Sequence, residues 1–151
     1  MIGDFNEYLK DIIIWDKGVA QPSMQEKVIN RRSELILVFE NDYPISRQYR
    51  YAHFNRGTLS DIWQIKRDYK SPKSHGATFP EKLVETILQN FTQPNDIIYD
   101  PFLGTGTTAV VAKKMERQYI GSEINSAYCR VSEERLENAL TPLELLLQTE
   151  N

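Results

Sequence analysis

Three observations on this 151-residue sequence predict an α/β fold with parallel strand pairing. From residue 80 onward, helix-type and strand-type patterns alternate as helix, strand, helix, strand, helix. Within that alternation, Ile97-Ile98-Tyr99-Asp100-Pro101-Phe102-Leu103-Gly104-Thr105-Gly106-Thr107-Thr108 reads as a strand, a tight glycine turn and a helix start. Gln118-Tyr119-Ile120-Gly121-Ser122-Glu123 reads as a second strand ending in a carboxylate, nineteen positions after Gly104. Gly104 and Gly106 carry no Cβ, so the backbone there can turn sharply and approach a ligand closely. A carboxylate at the end of the second strand can accept hydrogen bonds from ribose hydroxyls. The combination has the geometry that holds a nucleotide-like cofactor.

Taken in order, the elements begin with Lys10-Asp11-Ile12-Ile13-Ile14-Trp15, an apolar β-branched run expected to be a buried strand and ended by Asp16-Lys17-Gly18. Arg31 and Arg32 fit a hairpin tip. Glu34-Leu35-Ile36-Leu37-Val38-Phe39 is a second such run, stopped by Asn41-Asp42-Tyr43-Pro44. Residues 44–75 look irregular, with a short strand at Asp61–Ile65 and a turn-rich stretch at 71–76. Pro80 is expected in the first turn of a helix. Leu83, Ile87 and Phe91, with Val84 and Leu88 beside them, give that helix one apolar face. Pro94-Asn95 separates it from the 97–100 strand. A helix over about 105–116 follows, then the 118–123 strand, then a helix from near Asn125 to Leu140 stopped by Pro142. Leu143, Leu145, Leu146 and Leu147 form an apolar tail expected to pack on something. Trp15, Trp63 and Cys129 read as core residues.

Composition narrows the class. No run approaches the ~20 apolar residues of a membrane span, and the acidic N-terminus lacks a signal-peptide pattern. One cysteine precludes an internal disulfide, and two histidines with that cysteine make no metal cluster, so a cytoplasmic location without metal is expected. Charge is uneven. Residues 47–80 carry 7 basic and 2 acidic side chains, against 5 and 8 before them and 6 and 11 after them. Tyr49, Tyr51, Phe54, Trp63 and Tyr69 are interleaved with those cations. Such a segment suits nucleic acid, with cations on phosphates and rings on bases. It equally suits a solvated loop with a few core aromatics. Arg47, Arg50, Arg56 and Lys66 are the candidate DNA contacts.

These residues together resemble the DNA amino-methyltransferases of the permuted class, in which the cofactor motifs follow the catalytic ones. Asp100–Thr108 resembles that family's Asp-Pro-Phe-x-Gly-x-Gly-Thr-Thr cofactor loop. His75-Gly76-Ala77-Thr78-Phe79-Pro80-Glu81-Lys82-Leu83 resembles its His-x-Ala-x-Phe-Pro-x-x-Leu motif, which closes over the methionine part of S-adenosylmethionine. Ile12–Lys17 resembles the strand ending in Trp-x-Lys, and Asp61-Ile62-Trp63 the Asp-x-Trp that precedes the His-x-Ala motif. The resemblance implies an incomplete Rossmann-like, S-adenosylmethionine-dependent methyltransferase sheet with helices on both faces. It implies one partial domain over 1–151: catalytic-side strands in 1–46, the basic segment in 47–74, the cofactor half in 75–140 and a tail in 141–151. The cofactor candidates it marks are Ala77, Thr78, Phe79, Asp100, Phe102, Gly104, Thr105, Gly106, Thr107 and Glu123. Asp100 alternatively caps the turn after it, Phe79 alternatively belongs to the core, and Phe102 either packs in the core or borders the adenine. His75 is assigned no proton transfer.

The implied activity is methylation of the exocyclic amino group of adenine or cytosine in double-stranded DNA, as in restriction–modification. One departure is large. The family's catalytic Asp/Ser-Pro-Pro-Tyr/Trp/Phe motif has no counterpart, because no two prolines are adjacent anywhere in the sequence. No catalytic residue is therefore assigned. The strand that carries that motif sits mid-sheet beside the cofactor-loop strand, so its absence leaves an edge that invites association. A second chain bearing the motif, a homodimer contact or a rearranged sheet is expected. Two alternatives stand beside a split or truncated methyltransferase. One is a non-catalytic cofactor- or DNA-binding remnant. The other is a dinucleotide-binding domain, for which the 42 residues after Ala109 are too few.

Overall fold

In a computed structural model of the chain, residues 6–20, 26–41, 48–67 and 79–149 are described. They group into two units, Met1–Arg67 and Asp68–Asn151. The first unit follows a short 3-10 turn, Asn6–Tyr8, with strand β1 (Leu9–Asp16). β1 lies between β2 (Ser33–Phe39), to which it is antiparallel, and β3 (Ile62–Gln64), to which it is parallel. The side-chain period of two sends Ile13 and Trp15 inward, at 4% and 2% exposure, while Ile12 stays 44% exposed. Both indole N–H groups of this unit find carbonyls, Trp15 on Ile65 at 2.7 Å and Trp63 on Ser60 at 2.8 Å. Burying these rings therefore strands no donor.

Polar ties close the sheet at its ends. Lys17, 8% exposed, donates to Glu34 Oε1 at 2.9 Å, and Arg67 reaches the same oxygen at 3.0 Å. The hydrogen bond from Lys17 holds the Glu34 carboxyl below its usual range. Arg32 is more than a hairpin tip. Its Nε and Nη2 grip both carboxylate oxygens of Asp16, each at 2.6 Å, and this bond lowers the Asp16 pKa.

The second unit holds helix α1 (Glu81–Phe91), strand β4 (Ile97–Asp100), helix α2 (Thr107–Lys114), strand β5 (Gln118–Gly121), helix α3 (Ser126–Glu137) and helix α4 (Pro142–Thr149). The expected alternation and parallel pairing are both present, β4 running parallel to β5 with Ile98 opposite Tyr119. Several ends differ from expectation. Pro80 sits at the N-cap of α1 with extended backbone, one residue before the first turn. β5 stops at Gly121, α2 and α3 are each shorter than expected, and the leucine tail forms α4. Helix ends are set by orphan N–H and C=O groups finding partners, which periodicity does not report.

Val84 and Leu88 of α1 and Val111 and Ala112 of α2 form the core, with Ile98 of β4 and Met115 packed against it. The buried side of α1 is thus Leu83, Val84 and Leu88, while Ile87 and Phe91 are half-buried. Ile98 directs one face of the β4–β5 pair toward these helices. The opposite face carries Ile97, Tyr99 and Ile120, exposed by 60%, 64% and 56%. Cys129, expected to be buried, is only half-buried, its thiol pointing to the Glu123 carbonyl at 3.5 Å. Among the described residues no helix is long and apolar enough to cross a membrane.

Candidate functional site

The C-terminal ends of two parallel strands are where an α/β sheet opens to a ligand, because the chain leaves each strand in a loop that turns back into a helix. Here β4 leads into the loop 101–106 and β5 into 122–125. Gly104 and Gly106 both take left-handed backbone, φ +55° and +82°, so the loop conformation needs residues without a Cβ. Gly106 then serves as the N-cap of α2. A Cβ on Gly106 would lie 2.7 Å from Ser132 Cβ and 3.1 Å from Ser132 Cα on α3. That glycine therefore answers to helix packing as well as to the turn.

Glu123 ties the two loops together. Its Oε2 accepts from Gly104 N at 2.8 Å across nineteen residues, and its Oε1 accepts from Asn125 N at 2.8 Å. The Leu103 amide also donates to the Ser122 carbonyl at 2.9 Å, and the Ser122 hydroxyl donates to the Pro101 carbonyl at 2.8 Å. The sequence spacing between Gly104 and Glu123 is thus a spatial contact. A carboxylate can accept about four hydrogen bonds, so holding the loop is compatible with accepting vicinal hydroxyls as well.

The remaining expected residues fall in different places. Asp100 Oδ1 accepts from Phe102 N at 3.0 Å, the turn-capping role. Phe102 is 87% exposed and Phe79 52%, so neither belongs to the core. Thr105 and Thr107 are buried at 2% and 8%. Ala77, Thr78, His75 and Arg47 lie outside the described residues. Arg50 lies over the Tyr51 ring at 5.2 Å, while its backbone N–H donates to Glu40 at 2.8 Å. Arg56 and Lys66 are exposed. Of the aromatics in that segment, Tyr49 and Phe54 meet edge to face at 5.7 Å, Trp63 is buried and Tyr69 lies outside the described residues, so the described part of the segment is part solvated cation and part core. Burial pushes the Tyr49 phenol up, and the Asp11 carboxylate that accepts its proton adds to the shift.

Two residues at this site escaped the sequence reading. Ile124, directly after Glu123, is 102% exposed, an apolar side chain standing beside the loops. Its place after the strand-end acid was the available signal. The second is Arg135 of α3. It donates to the Thr105 carbonyl at 2.7 Å, to Thr107 Oγ1 at 3.1 Å and to Glu81 at 3.2 Å. No local pattern marks an arginine whose partners are 28 to 54 residues away.

The model of the DNA methylase family, which covers the N6 and N4 methyltransferases, matches residues 1–134. The chain belongs to that family. Among DNA methylases it is 34% identical over 137 residues to the type II methyltransferase M2.LlaDCHI of Lactococcus lactis subsp. cremoris, covering 85% of this chain and 51% of that protein. It is 40% identical over 88 residues to the orphan methyltransferase M.BamHII of Bacillus amyloliquefaciens, 54% of this chain and 33% of that protein. It is similar to the solved M1.HpyAVI–SAM complex, with a TM-score of 0.62 and 28% identity, over 85% of this chain and 62% of that one. The cytosine-N4-specific PvuII DNA methyltransferase gives a TM-score of 0.68 at 21% identity over 85% of this chain and 51% of that one, which shows the shared Rossmann-like fold. The chain spans about half the length of the curated relatives M2.LlaDCHI and M2.DpnII. Membership in the DNA methylases sets the dinucleotide-binding alternative aside.

Proposed function

We propose that this chain supplies the S-adenosylmethionine-binding part of a DNA methyltransferase acting on the exocyclic amino group of adenine or cytosine. The observation that carries the reading is the Glu123 carboxylate bonded to the Gly104 amide, which joins the ends of β4 and β5 around one opening. The residues there fit the cofactor by chemistry. An anchored carboxylate suits the ribose diol, and the exposed Phe102 and Ile124 offer apolar surface for an adenine. Phe79, with Ala77 and Thr78 before it, would close over the methionine part. When bound, S-adenosylmethionine supplies a methyl group activated for attack by its sulfonium centre.

What this chain contributes to the reaction is position. The Glu123 and glycine-loop contacts would fix the cofactor so that its methyl faces a base flipped from the duplex. Holding the amino nitrogen in line needs acceptors that no Pro-Pro motif in this sequence provides. A second chain carrying that motif would supply them. Among the described residues β4 and β5 pair only with each other, and one face of the pair is apolar and exposed, consistent with such an addition. Double-stranded DNA would meet the basic segment through Arg47, Arg50, Arg56 and Lys66, and action on bacterial DNA would put the protein in the cytoplasm.

Titration calorimetry with S-adenosylmethionine, S-adenosylhomocysteine and NAD tests the cofactor assignment. Binding of the first two, abolished in Glu123→Ala, is expected; a preference for NAD rejects it. For DNA, replacing Arg50, Arg56 and Lys66 with Ala should lower the slope of log affinity against log salt by up to about 0.9 for each phosphate no longer neutralised. An unchanged slope removes those residues from the interface.

A further inference from the structure

We propose that Arg135 is a positioning residue that braces the glycine loop and the start of α1 at the same time. The inference rests on the cofactor reading above and adds to it a residue outside both sequence motifs. Arg135 also lies one position beyond the residues that the family model matches. Its guanidinium works in two directions. Nη1 donates to the Thr105 carbonyl at 2.7 Å and to Thr107 Oγ1 at 3.1 Å, with Thr105 Oγ1 at 3.3 Å. Nη2 donates to Glu81 Oε1 at 3.2 Å, and the other Glu81 oxygen takes Lys114 Nζ at 2.6 Å.

The placement of these partners gives the brace its meaning. Thr105 lies between the two left-handed glycines, and Thr107 is the first residue of α2. Glu81 follows Pro80 directly and opens α1, just beyond Phe79. One side chain therefore connects the loop that would approach the cofactor with the first turn of α1. A loop with two glycines samples many backbone states when nothing restrains it, and a site populated in only a fraction of molecules binds more weakly by that fraction. Thr105 is 2% exposed, so water does not replace the guanidinium at its carbonyl without opening the packing. The planar fork of arginine reaches a carbonyl, a hydroxyl and a carboxylate together, whereas a lysine ammonium is a single point charge on a flexible stem. Arg135 itself faces protein groups and is not assigned a contact to cofactor or substrate.

The test uses the full chain and its Arg135→Ala, Arg135→Lys and Glu81→Gln variants. Amide hydrogen exchange of the ligand-free protein is followed over residues 103–108 and 79–85. S-adenosylhomocysteine affinity is measured by calorimetry well below each melting point. Arg135→Ala should speed exchange over 103–108 and weaken S-adenosylhomocysteine by about tenfold or more, as expected on removing charge-assisted hydrogen bonds. Arg135→Lys should recover part of both effects, and Glu81→Gln should loosen 79–85 more than the loop. If Arg135→Ala does not fold, the Lys and Gln variants carry the comparison. A lowered melting point with unchanged exchange over 103–108 and unchanged affinity would reduce Arg135 to a helix anchor and overturn the proposal. If the wild-type chain binds neither cofactor form while Arg135→Ala still loosens the loop, the brace stands and the cofactor reading falls.

Discussion

Gly106 meets two constraints at one position. Its φ of +82° disfavours any side chain, and a Cβ there would press on Ser132 of α3 at 2.7 Å, with the Ser132 backbone at 3.1 Å. Backbone cannot move aside as a side-chain tip can. Gly106→Ala should therefore cost about 2–4 kcal/mol, combining left-handed strain with overpacking. Gly121→Ala is the informative contrast. The three atoms nearest its new Cβ all belong to the Leu103 side chain, the methyls at 2.8 and 2.9 Å and Cγ at 3.1 Å. That flexible group can swing away without moving backbone, and the Gly121 φ is not positive. Urea unfolding of the two variants should rank Gly106→Ala well below Gly121→Ala. Equal stabilities would show that α3 gives way at Ser132. The same reasoning separates readable from unreadable residues here. A glycine in a turn announces itself, whereas Ser132 as its packing partner is visible only once α3 lies across the loop.

At the scale of elements, α2 ends under strain that sequence patterns did not flag. The Arg117 N–H reaches the Ala112 carbonyl at 2.8 Å, the wrap of a Schellman end, and the residue between them in left-handed backbone is Glu116 at φ +61°. Glycine usually fills that place. The Glu116 carbonyl accepts from Asn95 N at 2.8 Å, a backbone bond that substitution preserves. Glu116→Gly should stabilise the chain by about 0.5–1 kcal/mol, the relief of strain being partly offset by a freer unfolded chain. Thermal melts of wild type and variant check the sign; a lower melting point would mean that the Glu116 side chain contributes more than its backbone costs. Arg117 then joins α2 to α1, donating to the Thr92 carbonyl at 2.8 Å and to Met115 at 2.6 Å. The helices and strands themselves were legible because apolar period and glycine punctuation are local signals. Their ends were not, since these depend on which carbonyls the following chain happens to reach.

At the scale of the whole molecule, the chain belongs to the DNA methylases yet spans about half the length of the curated relatives M2.LlaDCHI and M2.DpnII. Cofactor affinity would bring a methyl group to the opening, but transfer also needs the amino nitrogen held in line. Each preorganised hydrogen bond of that kind is commonly worth ~3 kcal/mol, or roughly 10²–10³ in rate. Purified 1–151 alone should therefore incorporate little labelled methyl into mixed-sequence DNA. Adding a polypeptide that bears the Asp/Ser-Pro-Pro-Tyr/Trp/Phe motif should raise incorporation by orders of magnitude. A homodimer should not substitute, because neither copy of this sequence carries the motif. Robust incorporation by 1–151 alone would show that other residues clamp the base.

The amino-acid sequence by itself determined the order of strands and helices, the parallel pairing around the glycine loop, and the spacing that makes Gly104 and Glu123 partners. Each of these rests on interactions within a few residues or across one strand–helix–strand unit, where chain connectivity leaves few alternatives. Tertiary structure alone decided that Phe102 and Ile124 stand exposed and that Arg135 joins Thr105 to Glu81. The Arg135 contacts depend on how α3 crosses the loop. That crossing is set by the summed packing of many side chains, with no single short motif to report it.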